Sequence, residues 1–172
     1  MTEPTRTPPD AVQDHYPDDV AHCYGCGRLN AHGLHVRSAW DGDQTVARLT
    51  PRPEHTAIPG YVYGGLVASL IYCHGTGSAA LAAWRATGVE TGAPPRFVTA
   101  ALQIDFLRPT PIATELEARG RIAEMGARKV VVEVEVLALG ETCARGRVVA
   151  VRMPESMLRT DGGAAARPGS VT

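Results

Sequence analysis

Residues 61–80 read YVYGGLVASLIYCHGTGSAA, and the change from a glycine pair to an apolar repeat in this stretch decides the fold. Leu66, Leu70, Ala80, Leu81 and Trp84 are spaced for a largely buried helix that starts at Gly64 and ends near Gly88. The helix is apolar nearly all round, so a sheet must wrap it. Gly64 and Gly65 at its start allow two readings. They let the helix pack closely on a sheet, because glycine lacks a Cβ, or they leave a backbone N–H at the positive end of the helix for a developing oxyanion. The local sequence by itself favours packing. Gly75 and Gly77 each cost about 1 kcal/mol relative to alanine inside a helix, which predicts close approach of a partner helix there rather than a ligand. Ser69, Tyr72 and Thr76 share one face at helical spacing. Cys73 and His74 diverge from each other and read as a buried thiol and a satisfied imidazole.

Upstream, Pro51, Pro53 and Pro59 make residues 51–60 a loop. Before it, Leu34–Trp40 and Thr45–Thr50 alternate around the turn DGD, a hairpin signal. Downstream, the loop TGAPPR precedes four expected strands: Phe97–Leu107, Thr114–Ile122, Lys129–Leu139 and Thr142–Arg152. KVVVEVEVLAL is the clearest, with Glu133 and Glu135 on one face and valines on the other. The order is two strands, one long helix, then four strands, which argues for an α+β fold with an antiparallel sheet. Such a sheet has a free edge and an uncovered face, and these favour self-association.

The chain has 172 residues and 44% hydrophobic content, enough for one domain with its own core. A net charge of −1 gives no general reason to bind nucleic acid or a membrane surface. The apolar runs alternate or are broken by charge, so no membrane span is expected. The first residues lack a basic segment followed by an apolar one, so no signal peptide is expected. Four cysteines do not make a disulfide framework, and a reducing, cytoplasmic setting follows. Residues 1–20 are expected to form an extended or partly disordered arm, 21–155 the domain, and 156–172 a disordered tail.

Three separated segments, HCYGCGRLNAHGL, EHTAIPGYVYGGLVASLIYCHGTGSA and FLRPTPIATEL with its following ARK, resemble the PaaI-type acyl-CoA thioesterases of the hotdog-fold superfamily. The likeness runs from about His15 to Met153. It implies a long central helix wrapped by an antiparallel sheet of about six strands, and homodimers or dimers of dimers with sites at the interface. It places the family's His-Gly-Gly motif at Tyr63-Gly64-Gly65, so tyrosine replaces the histidine and the Gly64 N–H would polarise a thioester carbonyl. The family's carboxylate falls on Tyr72. Thr76 matches a hydrogen-bonding position one turn later, Ser69 shares the face, and His55 matches a loop histidine.

A carboxylate there acts as nucleophile or as general base. A tyrosine, with an ordinary pKa of about 10, is neutral and a poor base, so Tyr72 puts ordinary hydrolysis in question. His55 is the best remaining base candidate, with Glu54 second, and a solvated loop is the plainer reading of both. The resemblance also implies that Arg108, Arg128 and Lys129 help hold coenzyme A phosphates, a task their charges suit. His22-Cys23-x-x-Cys26 with His32 and His35 has the elements of a zinc site, but CxxC is only half of one. A glycine-rich turn with buried thiols is the expectation, with no metal. The implied function is a thioesterase-type hydrolase on acyl-CoA or an acyl-carrier thioester, with no cofactor beyond the substrate's coenzyme A. A dehydratase, isomerase or cyclase on the same fold, and a non-catalytic acyl-CoA binder, remain the alternatives.

Overall fold

The computed structural model describes residues 10–88 and 92–158. Six strands form one antiparallel sheet: β1 (Ala39–Asp41), β2 (Gln44–Leu49), β3 (Phe97–Phe106), β4 (Leu116–Met125), β5 (Lys129–Ala138) and β6 (Glu141–Arg152). Their order across the sheet is β1-β2-β4-β5-β6-β3. The helix α1 (Gly64–Arg85) lies in its concave face, and a short α2 (Glu155–Leu158) closes the described chain. This is the hotdog fold, with the strand-helix-strand order that the sequence predicts.

The helix is buried because it has almost no polar face. Leu70, Ile71, Ala79 and Ala80 are fully inaccessible, and Tyr72 is the one exposed residue between Leu66 and Arg85. Burying one leucine or isoleucine contributes roughly 1.5–3 kcal/mol, so the sheet holds the helix more firmly than helix propensity does. By length and composition α1 passes as a membrane span, but 78% of its apolar window is inside the fold. Val130, Val132, Val134 and Val136 of β5 face it at 0–1% exposure. Glu133 and Glu135 point outward to Arg147 and Arg145.

The close approach at the helix glycines comes from elsewhere than expected. A Cβ on Gly75 would lie 2.5 Å from Val148 Cγ2, and one on Gly77 would lie 2.7 Å from Ser38 Oγ and 2.8 Å from Gln13 Nε2. The sheet and the N-terminal segment press on them, not a partner helix. The first strand is also shorter than expected. His35 has φ 55, in the left-handed region. The Leu34 and Val36 N–H groups donate to the Tyr24 and Gly25 carbonyls instead of to a strand.

The arm expected over residues 1–20 differs too. Residues 1–9 lie outside the described residues, but 10–20 are ordered in two 3-10 turns, Val12–His15 and Asp18–Val20. Ala11, Val12 and Tyr16 are buried, and Gln13 Oε1 accepts from the Ser38 N–H at 2.8 Å. Apolar burial plus a satisfied amide orders a stretch whose proline and aspartate content reads as loose. Of the expected tail, 156–158 belong to α2 and the remainder lies outside the described residues.

Candidate active site

The stretch that ends at Gly64 is fixed by backbone bonds from three directions. Val62 N–H donates to Thr110 O at 2.9 Å, Ile112 N–H to Gly60 O at 3.0 Å, and Tyr63 N–H to His55 O at 2.8 Å. Tyr63 takes the N-cap position with φ −59 and ψ 125 and makes no side-chain cap. Leu66 N–H bonds back to Tyr63 O at 2.9 Å. Among the described residues, nothing accepts from the Gly64 or Gly65 N–H. The first N–H groups of a helix carry its positive end, so Gly64 presents an unsatisfied donor.

The two glycines have different jobs. A Cβ on Gly65 would sit 2.2 Å from Tyr63 Cε1, so the Tyr63 ring folds back onto Gly65. A Cβ on Gly64 would only touch the Phe106 ring at 3.5 Å. Packing therefore explains Gly65 and does not explain Gly64. In front of Gly64 is a cavity of about 260 Å³ lined by Val62, Val67, Phe106, Leu107, Arg108 and Thr110. The quoted FLRPTP run holds four of these residues, but only Arg108 stood out by its chemistry. A larger hollow of 380 Å³ on the outer sheet face is lined by Glu133, Glu135, Arg145 and Arg147. Those charges pair with one another, so that face is a solvated ion network.

The other expected site residues divide. His55 is brought close by its carbonyl, but its ring is occupied. Nδ1 accepts from the Arg52 N–H at 3.0 Å, and Arg52 Nη2 lies 3.3 Å from Nε2. Partial burial and then the Arg52 charge lower its basicity, with Glu54 opposing. Glu54 is itself paired with Arg52 at 2.9 Å. Thr76 is buried, and its hydroxyl donates to Cys73 O at 3.1 Å and Tyr72 O at 3.3 Å. Ser69 likewise donates to Gly65 O at 2.9 Å. Both are ordinary back-bonds of helical hydroxyls, and Thr76 stays out of the site.

Tyr72 is 39% exposed and does not line the cavity. It lies eight residues beyond Gly64, about 12 Å along the helix axis. Arg108 pairs with Glu141 at 2.5 Å, which holds the glutamate below the usual carboxylate range. Arg128 and Lys129 are at the other end of the sheet. Phe106 pairs with Ala144 and Ala144 with Val136, whereas Lys129 pairs with Val151. The seven steps from Lys129 to Val136 span roughly 23 Å of strand. One chain does not bring Arg108 and Arg128 to a common ligand. Lys129 also meets Glu124 at 3.4 Å, while the exposed Arg128 guanidinium has no partner among the described residues.

The thiols gather where Cys73, about 100° round the helix from Tyr72, meets the loop of Cys23 and Cys26. Cys23, Cys26 and Cys73 place their sulfurs within 4.8 Å of one another, with Cys23 and Cys73 4.0 Å apart. His74 belongs to a separate buried network. Its Nδ1 is 2.9 Å from Ser38 Oγ and its Nε2 3.3 Å from Thr45 Oγ1. As expected, Cys73 and His74 have unrelated partners.

The sequence profile of the thioesterase superfamily matches residues 59–145, half of the chain. A thioesterase superfamily protein of Shewanella loihica PV-4 is 56% identical over 73% of this chain and 96% of its own, with a TM-score of 0.60. The E. coli PaaI protein of the phenylacetic acid degradation operon shares the fold at 20% identity, over 70% of this chain and 81% of its own, with a TM-score of 0.58. AziG of S. sahachiroi does so at 23% identity, over 70% and 94%, with a TM-score of 0.56. None of the curated proteins matches.

Proposed function

Since the chain belongs to the thioesterase superfamily, we propose that it acts on an acyl thioester of coenzyme A or of an acyl carrier, with Gly64 as the oxyanion donor. The observation that carries this reading is the uncapped Gly64 N–H at a helix start, facing an apolar cavity flanked by Arg108. A thioester carbonyl oxygen accepting from that N–H gains most as it becomes an oxyanion, which lowers the barrier to attack on its carbon. The acyl group would take the apolar wall of Val62, Val67 and Phe106.

The reading requires a second copy. β3 is an edge strand of ten residues, with Leu102 and Phe106 exposed along it. Antiparallel pairing of β3 with its own copy sets the partner's Lys129 end beside the Gly64 end. Arg108 would then face basic residues at positions 128 and 129 of the other chain across a coenzyme A phosphate. The same pairing faces Tyr72 of one chain toward the Gly64 site of the other. A homodimer is therefore the smallest complete unit. The reading needs no cofactor beyond the substrate's coenzyme A.

Tyr72 sets the rate. Its hydroxyl donates a hydrogen bond to a carbonyl but does not take a proton from water as a carboxylate does. The test is thiol release from a panel of acyl-CoAs by wild type and Tyr72→Asp. Slow release by wild type that rises about 100-fold or more in Tyr72→Asp, the usual range for a general base, is the expected result. Binding of acyl-CoA without turnover in either protein would sink the hydrolase. The second reading, an acyl-thioester binder or non-hydrolytic enzyme, would then stand. It is favoured by one observation: no carboxylate lines the cavity among the described residues.

A further inference from the structure

We propose that Cys23, Cys26 and Cys73 form a three-thiolate site for a zinc-class divalent cation, which ties the N-terminal loop to the central helix. The inference is independent of the thioester reading, because none of the three cysteines lines the cavity in front of Gly64. A CxxC pair supplies two ligands, and the fold supplies the third from fifty residues away. At Zn–S distances near 2.3 Å, tetrahedral ligands stand about 3.8 Å apart. Cys23 and Cys73 are at 4.0 Å and all three sulfurs lie within 4.8 Å, so small side-chain shifts close the set. Cys23 is half-buried, whereas Cys26 and Cys73 are buried. That leaves the fourth position to water on the Cys23 side.

Three further observations separate this site from thiols that merely fill a core. First, the loop is shaped around sulfur. A Cβ on Gly25 would sit 2.2 Å from Cys73 Sγ, and Gly27 closes the turn with its N–H 2.7 Å from Cys23 O. Second, the same Cβ on Gly25 would also stand 3.9 Å from Cys23 Sγ, so one glycine makes room beside two of the three sulfurs. Third, Arg96 places Nη2 3.9 Å from Cys26 Sγ and its guanidinium 4.2 Å from the Tyr16 ring centroid. Among the described residues it meets no carboxylate. A guanidinium gains little from a neutral thiol. Three thiolates around a divalent ion carry a net charge of −1, which Arg96 neutralises. The Tyr16 hydroxyl is buried and has no hydrogen-bond partner among the described residues.

The experiment uses the full chain, stripped by chelator under reducing conditions and reloaded with Zn²⁺ or Co²⁺. The expected result is one zinc per chain after gel filtration, a raised Tm on reloading, and no such shift with Mg²⁺. Co²⁺ should give a strong thiolate-to-cobalt charge-transfer band. Cys23→Ser, Cys26→Ser and Cys73→Ser should each lose most of the bound zinc, while Cys143→Ser keeps it. Should a variant not fold, the wild-type cobalt spectrum decides alone. A folded wild type without that band overturns the proposal. So does zinc retained equally by Cys73→Ser, which would place the ion on surface histidines. A disulfide among these cysteines, with no zinc bound after reduction and reloading, also overturns it.

Discussion

Tyr63 donates its backbone N–H to the carbonyl oxygen of His55 at 2.8 Å. The histidine loop is thus anchored one residue before the helix begins. The bond fixes where Gly64 points, while the His55 ring is turned to Arg52. His55 therefore positions the Gly64 N–H through its backbone more than through its imidazole.

Gly64→Pro tests that donor with little disturbance. Proline suits the first helical position, and Tyr63 already has the extended ψ of 125 that a following proline requires. The substitution removes the N–H and adds a ring whose Cβ meets the Phe106 ring at an ordinary 3.5 Å. Expected is a folded protein whose kcat on any accepted thioester falls about 100- to 1000-fold, the usual cost of one lost oxyanion donor. Circular dichroism and thiol release measure the two halves. Unchanged kcat would remove Gly64 from the mechanism.

Arg108 should matter for the coenzyme and not for the acyl group. Arg108→Ala is expected to raise KM for an acyl-CoA while leaving KM for the matching acyl-pantetheine unchanged. Equal effects on both would place Arg108 against the acyl chain instead. Glu141→Gln, which removes the charge paired with Arg108, should lower KM for the acyl-CoA.

Gly75→Ala should destabilise despite better helix propensity. Alanine gains about 1 kcal/mol in a helix, but its Cβ would stand 2.5 Å from Val148 Cγ2 and 2.7 Å from Val148 Cβ. Overpacking of this kind costs about 1–3 kcal/mol. Urea unfolding should show a net loss, part of which returns when Val148→Ala is added. A stabilised single variant would mean that the sheet yields at β6.

His74 makes stability depend on pH. Burial pushes its pKa down from 6.5 to about 4, with only a bond involving Thr45 opposing. Its folded pKa lies below its unfolded value, so the unfolded chain binds more protons between these limits. Its stability is complete above pH 6.5 and is lost as pH falls toward 4, by roughly 3 kcal/mol for such a shift. His74→Gln should flatten the stability profile in that window. An unchanged slope would assign acid unfolding to the surface carboxylates.

Much of this molecule is legible in its residue pattern. The apolar period after Gly64, the alternation of residues 129–138 and the turn residues between strands dictate a wrapped helix and an antiparallel sheet, because period and burial are local properties. Element ends drift by a few residues where a non-local bond intervenes, as at Leu34 and Val36, whose N–H groups find loop carbonyls. The resemblance pointed to Gly64 and Tyr72, while helical spacing read Cys73 and His74 as unrelated.

Contacts across the chain decided the remainder. Nothing local says that Gly65 makes room for a tyrosine ring, that Arg52 occupies His55, or that Thr76 turns back into its helix. Nor does spacing reveal that Cys73 closes on Cys23 and Cys26, or that Arg128 lies a sheet's length from Arg108. The sequence by itself determined the fold and the chemical types at the site. Tertiary structure decided which of them meet. The reason is physical: secondary-structure period repeats over a few residues, whereas a hydrogen bond or a sulfur cluster needs ångström placement that only long-range packing supplies.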